Sequence, residues 1–138
     1  MTVLFPFVPR ARLDDAALVR ARGVFARRPA FEFALARLAT FPDVVWLAPE
    51  PDRPFRELTE AIHAEFPEHP PYGGEFNEVI PHATLTEVAE RDLDATVDRL
   101  RLQVEPLLPL RQHARDVTLL VEDEPDRWRE ALRLPLSA

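Results

Sequence analysis

Apolar positions along this chain recur with two different periods, and the changes of period mark out its elements. Residues 2–8 (TVLFPFV) are β-branched and aromatic and predict a strand that starts abruptly. Asp14 or Asp15 then caps a predicted helix, in which Ala17, Leu18, Ala21, Val24 and Phe25 recur at helical spacing until Pro29 stops it. Phe31, Phe33 and Leu35 alternate with Glu32, Ala34 and Ala36, and Pro42-Asp43 separates this run from Val44-Val45-Trp46-Leu47. That pattern predicts a hairpin.

Asp52 is placed to cap a second helix over about 53–66, with Pro54 in its first turn and a stripe of Phe55, Leu58, Ile62 and Phe66. Residues 67–78 (PEHPPYGGEFNE) break all periodicity and hold two of the three glycines, so a shaped loop is expected. A strand over 79–88 (VIPHATLTEV) comes next, then a helix over 92–105 with Leu93, Val97, Leu100 and Val104 on one face, ended by Pro106. Residues 116–122 and 128–136 predict a last hairpin around Glu124-Pro125-Asp126. The two halves thus share an order of strand, helix and antiparallel strand pair, a weak internal repeat in element order rather than residue identity.

No linker or low-complexity tract divides the 138 residues, and a chain of this length can bury roughly 68% of its unfolded surface as one domain. With 46% hydrophobic and 30% charged residues it is globular in composition, and no stretch approaches the ~20 apolar residues of a membrane span. Residues 1–7 are too short for a signal-peptide core, so a cytoplasmic location is expected. The absence of cysteine excludes disulfides, thiolate nucleophiles and iron–sulfur ligation. A net charge of −7 argues against gripping long duplex nucleic acid by phosphate neutralisation, but not against a small anionic ligand. All 17 basic residues are arginine, which removes lysine from the possible nucleophiles.

Within the strand over 79–88, alternation puts His82 and Thr84 on one face and Ala83 and Leu85 on the other. An imidazole that exchanges protons near pH 7 then lies beside a hydroxyl able to donate to a phosphoryl oxygen. Those are two functions that phosphodiester hydrolysis requires. The competing reading is a histidine at a strand start followed by an ordinary β-favouring threonine. Tyr72 and Phe76, on the glycine-containing loop, are either core residues or platforms for a nucleobase. His63, His69 and His113 are read as solvated, and the scattered carboxylates show no metal-loop spacing.

The stretch YGGEFNEVIPHATL resembles the second His-x-Thr-x motif of the 2H phosphoesterases, the group that contains bacterial 2′-5′ RNA ligases and cyclic phosphodiesterases. The opening TVLFPF resembles the residues after the first motif histidine in that group, with Thr2 as the motif threonine and the histidine falling just before Met1. Members of the group also carry a strand and a helical stretch before that histidine, so a start upstream of Met1 is expected, with a naturally shortened protein as the competing account.

The resemblance implies an α+β fold of two antiparallel sheets in pseudo-twofold lobes, lining a central cleft with helices outside. It would be one domain over 1–138, with lobe one about 1–50, the linking helix about 53–66 and lobe two about 79–138. It implies His82, Thr84 and Thr2 as catalytic residues, Tyr72 and Phe76 as substrate contacts, and no metal or other cofactor. The implied activity is metal-independent cleavage of 2′-linked or 2′,3′-cyclic phosphodiesters of RNA ends or nucleotides, impaired here for want of the first histidine. The alternative is a module that binds a nucleotide phosphate without turnover, and a further alternative is an interaction protein that kept only the scaffold. A small nucleotide or RNA-end phosphate is the expected partner, and an exposed sheet edge would allow a dimer.

Overall fold

The computed structural model describes residues 1–138. The first long element is helix α1 (Asp15–Ala26), whose cap is Asp14: its carboxylate accepts from the Ala17 amide at 2.8 Å, satisfying a donor that the helix itself leaves free. Helix α2 (Arg53–Glu65) starts with Pro54 in its first turn, where the missing N–H costs nothing, and buries Phe55, Leu58, Thr59 and Ile62. The apolar faces of α1 and α2 meet over Ala17, Ala21, Val24, Phe25, Leu58, Ile62 and Phe66, and Leu134 and Leu136 close the same core. Phe66, 1% exposed, stabilises this core by roughly 1.5–3 kcal/mol of burial. The Arg20 guanidinium lies 4.3 Å over the Phe66 ring and reaches Glu65 at 2.8 Å, joining the two helices at the rim.

Strands β1 (Phe31–Phe41), β2 (Val44–Glu50), β3 (Ala83–Glu87) and β4 (Leu110–Ala114) form one antiparallel sheet in the order β3-β2-β1-β4. Strands β5 (Asp116–Glu124) and β6 (Arg127–Pro135) form a second, two-stranded antiparallel sheet. Helix α3 (Leu93–Val104) connects β3 to β4. The result is the mixed α+β fold with two antiparallel sheets that the resemblance implied. Its larger sheet draws β1 and β2 from the first half of the chain and β3 and β4 from the second. Phe31 and Phe33 stand edge-on to Phe55 at 5.0 and 4.9 Å, which fixes that sheet to α2.

Three local readings of the sequence are corrected. Residues 2–8 are not a strand. Pro6 and Pro9 offer no N–H to a ladder, and the carbonyls of Val3 and Phe5 are taken by the Thr59 hydroxyl and the Tyr72 amide. The segment instead lays Val3, Leu4, Phe7 and Val8 against the helical core. The strand expected over 79–88 is shorter, because Pro81 interrupts it and pairing with β2 begins at Ala83. The polar strand β4 was not foreseen, since an exposed edge strand carries little hydrophobic alternation.

Candidate active site

Cross-strand register builds the site. Trp46 on β2 lies directly opposite Thr84 on β3, and on its other side opposite Ala39 on β1, so these three side chains share one face. Phe41 reaches the same face from the end of β1 and stacks on Trp46 with centroids 4.8 Å apart. His82, one residue before β3, stands edge-on to both rings, at 5.2 Å from Phe41 and 5.9 Å from Trp46. His82 and Thr84 therefore do share a face, and Thr84 is exposed there while His82 is half-buried. Arg37, opposite Ala48, adds a cation to that face, held only loosely by Glu50 at 3.9 Å.

The His82 ring has a fixed orientation, because its Nδ1 lies 2.7 Å from the carbonyl oxygen of Ile80. A carbonyl can only accept, so Nδ1 carries the proton and donates it, which leaves the Nε2 lone pair free in the neutral ring. The backbone thus selects the tautomer that can take a proton at Nε2.

The lead-in to His82 is itself anchored from α2. Arg56 donates to the Val79 carbonyl at 2.7 Å, to Glu78 at 3.0 Å and to Asp52 at 2.9 Å. The hydrogen bond that Arg56 donates to Asp52 is the main influence that raises the Arg56 pKa above its ordinary value. One turn along the same helix, the buried Thr59 hydroxyl donates to the Val3 carbonyl at 2.7 Å. Thr2, the neighbour of Val3, is exposed and lines a cavity of about 890 Å³ between residues 1–10 and β5, whose walls include neither His82 nor Thr84.

Tyr72 and Phe76 are brought together, edge to face with centroids 5.6 Å apart. Their loop turns through Tyr72, Gly73 and Gly74, all with positive φ. The Tyr72 amide bonds the Phe5 carbonyl at 2.6 Å, and burial pushes its phenol pKa up. Phe76 is 57% exposed and lines a second cavity of about 360 Å³ with Arg56, Thr59, Glu60, His63 and Asn77.

The other histidines divide. His113 is exposed, as expected, with Arg115 donating to its Nδ1 at 3.3 Å. His69 is not solvated: its side chain is 15% exposed and stands edge-on to Phe7. His63 is half-buried, with an Nδ1 that has no partner. No group of three or more His, Asp or Glu side chains is placed to hold a metal ion. No helix is long and apolar enough to cross a membrane.

Sequence reasoning missed Phe41, Trp46, Arg37, Arg56 and Thr59. Phe41 and Trp46 were visible only as strand residues, Arg37 as one arginine among many, and Arg56 and Thr59 as positions beside the α2 stripe.

The fold is one found among phosphoesterases. A solved structure described as "Crystal structure of phosphoesterase" superposes with a TM-score of 0.55 at 18% identity, over 91% of this chain and 72% of that one. The family model of the 2′-5′ RNA ligase superfamily matches residues 1–126, and the chain belongs to that superfamily, one of the 2H phosphoesterases. No curated protein matches in sequence.

Proposed function

We propose that this chain engages a 2′-linked or 2′,3′-cyclic phosphodiester of a nucleotide or RNA end and promotes its hydrolysis by acid–base chemistry without a metal. The observation that carries this reading is the Ile80 carbonyl holding His82 with Nε2 free, on the face that also presents Thr84. In the hydrolysis, a water oxygen forms a bond to phosphorus, the bond from phosphorus to a ribose oxygen breaks, and one proton passes from the water to that ribose oxygen. Nε2 is suited to take the proton from water or, once protonated, to give it to the leaving oxygen. Thr84 would donate to a non-bridging oxygen. Thr2 is the second hydroxyl that the family resemblance assigns to that task, although the cavity it lines is separate from the His82 face here. Tyr72 and Phe76 would stack on the base.

One motif histidine supplies one of the two proton transfers. A second reading is a phosphate-binding module without turnover, since His82 and Thr84 can donate to a phosphate whether or not a bond is broken.

Titration with 2′-AMP, then a turnover assay on 2′,3′-cyclic AMP, tests both readings. Binding that His82→Ala and Thr84→Val each weaken supports the site, and slow turnover abolished by His82→Ala supports the enzyme. Binding with no turnover leaves the module. Binding that neither substitution alters removes both readings.

A further inference from the structure

Two segments must be held in place if Thr2 and His82 serve one phosphate, and neither is held by a sheet partner. Residues 2–8 belong to no strand, and residues 78–82 precede the start of β3. Both instead surrender a backbone carbonyl to the same helix. The Thr59 hydroxyl takes the Val3 carbonyl at 2.7 Å, and the Arg56 guanidinium takes the Val79 carbonyl at 2.7 Å. Residues three apart on a helix are surface neighbours, with Cβ atoms about 5–6 Å apart, so the two donors act from one patch of α2.

Each donor is more constrained than a surface contact requires. Thr59 is 6% exposed, and a mid-helix threonine would ordinarily satisfy itself on the carbonyl one turn back. Its bond to that carbonyl, on Phe55, is 3.1 Å, longer than the bond to Val3. Arg56 is fixed from a further direction by Asp52, which aims its fork at Val79, while Glu78 adds an exposed contact whose acceptor a glutamine would keep. The segment it fixes continues directly into Ile80, whose carbonyl sets the His82 tautomer.

We infer that Thr59 and Arg56 are positioning residues, a two-point clamp by which α2 sets the placement of the Thr2 segment relative to His82 and Thr84. This inference rests on the reading of His82, Thr84 and Thr2 as the phosphate site. The clamp acts through carbonyl groups and touches no substrate. Its loss disorders the geometry of the site rather than removing a reacting group.

The test uses the full chain, with 2′-AMP as the probe and ¹⁵N-resolved imidazole signals as a report on the His82 tautomer. Thr59→Val keeps the shape and removes the donor. It should weaken 2′-AMP binding about tenfold, the size expected when a buried acceptor loses its hydrogen bond, while Thr59→Ser restores the affinity. Arg56→Met should weaken binding similarly and also broaden or shift the His82 Nδ1–H signature. Glu78→Gln, which leaves the bond to the Val79 carbonyl, should do neither.

If Thr59→Val and Arg56→Met lower the melting temperature but leave affinity and the His82 signature unchanged in the folded protein, the two residues are structural only and the clamp is wrong. A loss in Glu78→Gln as large as in Arg56→Met overturns the part assigned to the carbonyl bond. His82→Ala separates the two levels: if it leaves 2′-AMP binding intact, the site reading fails and takes the clamp with it. If it weakens binding while the α2 variants do not, only the clamp fails.

Discussion

The Nδ1 atom of His82 lies 2.7 Å from the carbonyl oxygen of Ile80, two residues earlier in the chain. Because the carbonyl has no proton to give, this contact makes the neutral imidazole an Nδ1–H donor with its lone pair on Nε2. Two-bond ¹H–¹⁵N correlation spectra of the neutral protein should therefore show His82 as the Nδ1–H tautomer. A dominant Nε2–H form would remove the proton acceptor from the proposed site.

A second acid–base group placed beside the first tests the proposed chemistry. A chain extended upstream so that histidine precedes Met1, with a strand before it, should hydrolyse 2′,3′-cyclic nucleotides roughly 10²-fold faster than the same extension carrying alanine there. Steady-state rates on the two extended proteins decide the matter. Equal rates, or an extended enzyme indifferent to His82→Ala, would show that two histidines do not share the reaction.

Phe76 should contribute to nucleotide binding and not to phosphate binding. It is more than half exposed beside Tyr72, so Phe76→Ala exposes no core and should cost little stability. Removing one stacking ring should weaken 2′-AMP by about 1–3 kcal/mol while inorganic phosphate binds as before. Calorimetry with both ligands on both proteins checks this; an equal effect on the two would place Phe76 outside any base contact.

Tyr72 is the one tyrosine, so its ionisation can be followed alone by absorbance near 295 nm. Burial raises its pKa above the ordinary 10.0, because the buried phenolate is poorly solvated. The folded state therefore holds this proton more tightly than the unfolded state. The associated stability is complete below pH 10.0 and is lost as pH rises through the folded pKa. Denaturant titrations should show stability falling above that pH in the native sequence and falling less steeply in Tyr72→Phe.

The cap of α1 rests on one carboxylate, Asp14, accepting from Ala17. Asp14→Ala should destabilise the protein by about 1 kcal/mol, and Asp14→Ser should recover most of that loss. Thermal denaturation of the three proteins gives the comparison. Phe66→Ala, at the centre of the core, should cost more, about 3–5 kcal/mol.

The features that the sequence determined by itself are those that depend on short spans. The Asp14 cap of α1 and the apolar stripe that buries Ile62 and Phe66 come from short-range patterning, whereas Asp52, expected to cap α2, makes no side-chain cap bond and accepts from Arg56 instead. The β1–β2 and β5–β6 hairpins come from alternation broken by turn residues, and the common face of His82 and Thr84 comes from the twofold period of an extended chain. Everything that gives His82 its surroundings was decided by tertiary structure. Phe41 and Trp46 reach it because β2 pairs with β3 across a bulge, a register that no local pattern encodes. The opening segment reads locally as a strand, yet with prolines at 6 and 9 it finds no ladder and gives its carbonyls to Thr59 and Tyr72. Hydrogen bonds between residues far apart in sequence depend on which surfaces the folded core brings together, so Arg56 and Thr59 looked like ordinary helix positions until α2 was seen lying against both motif segments.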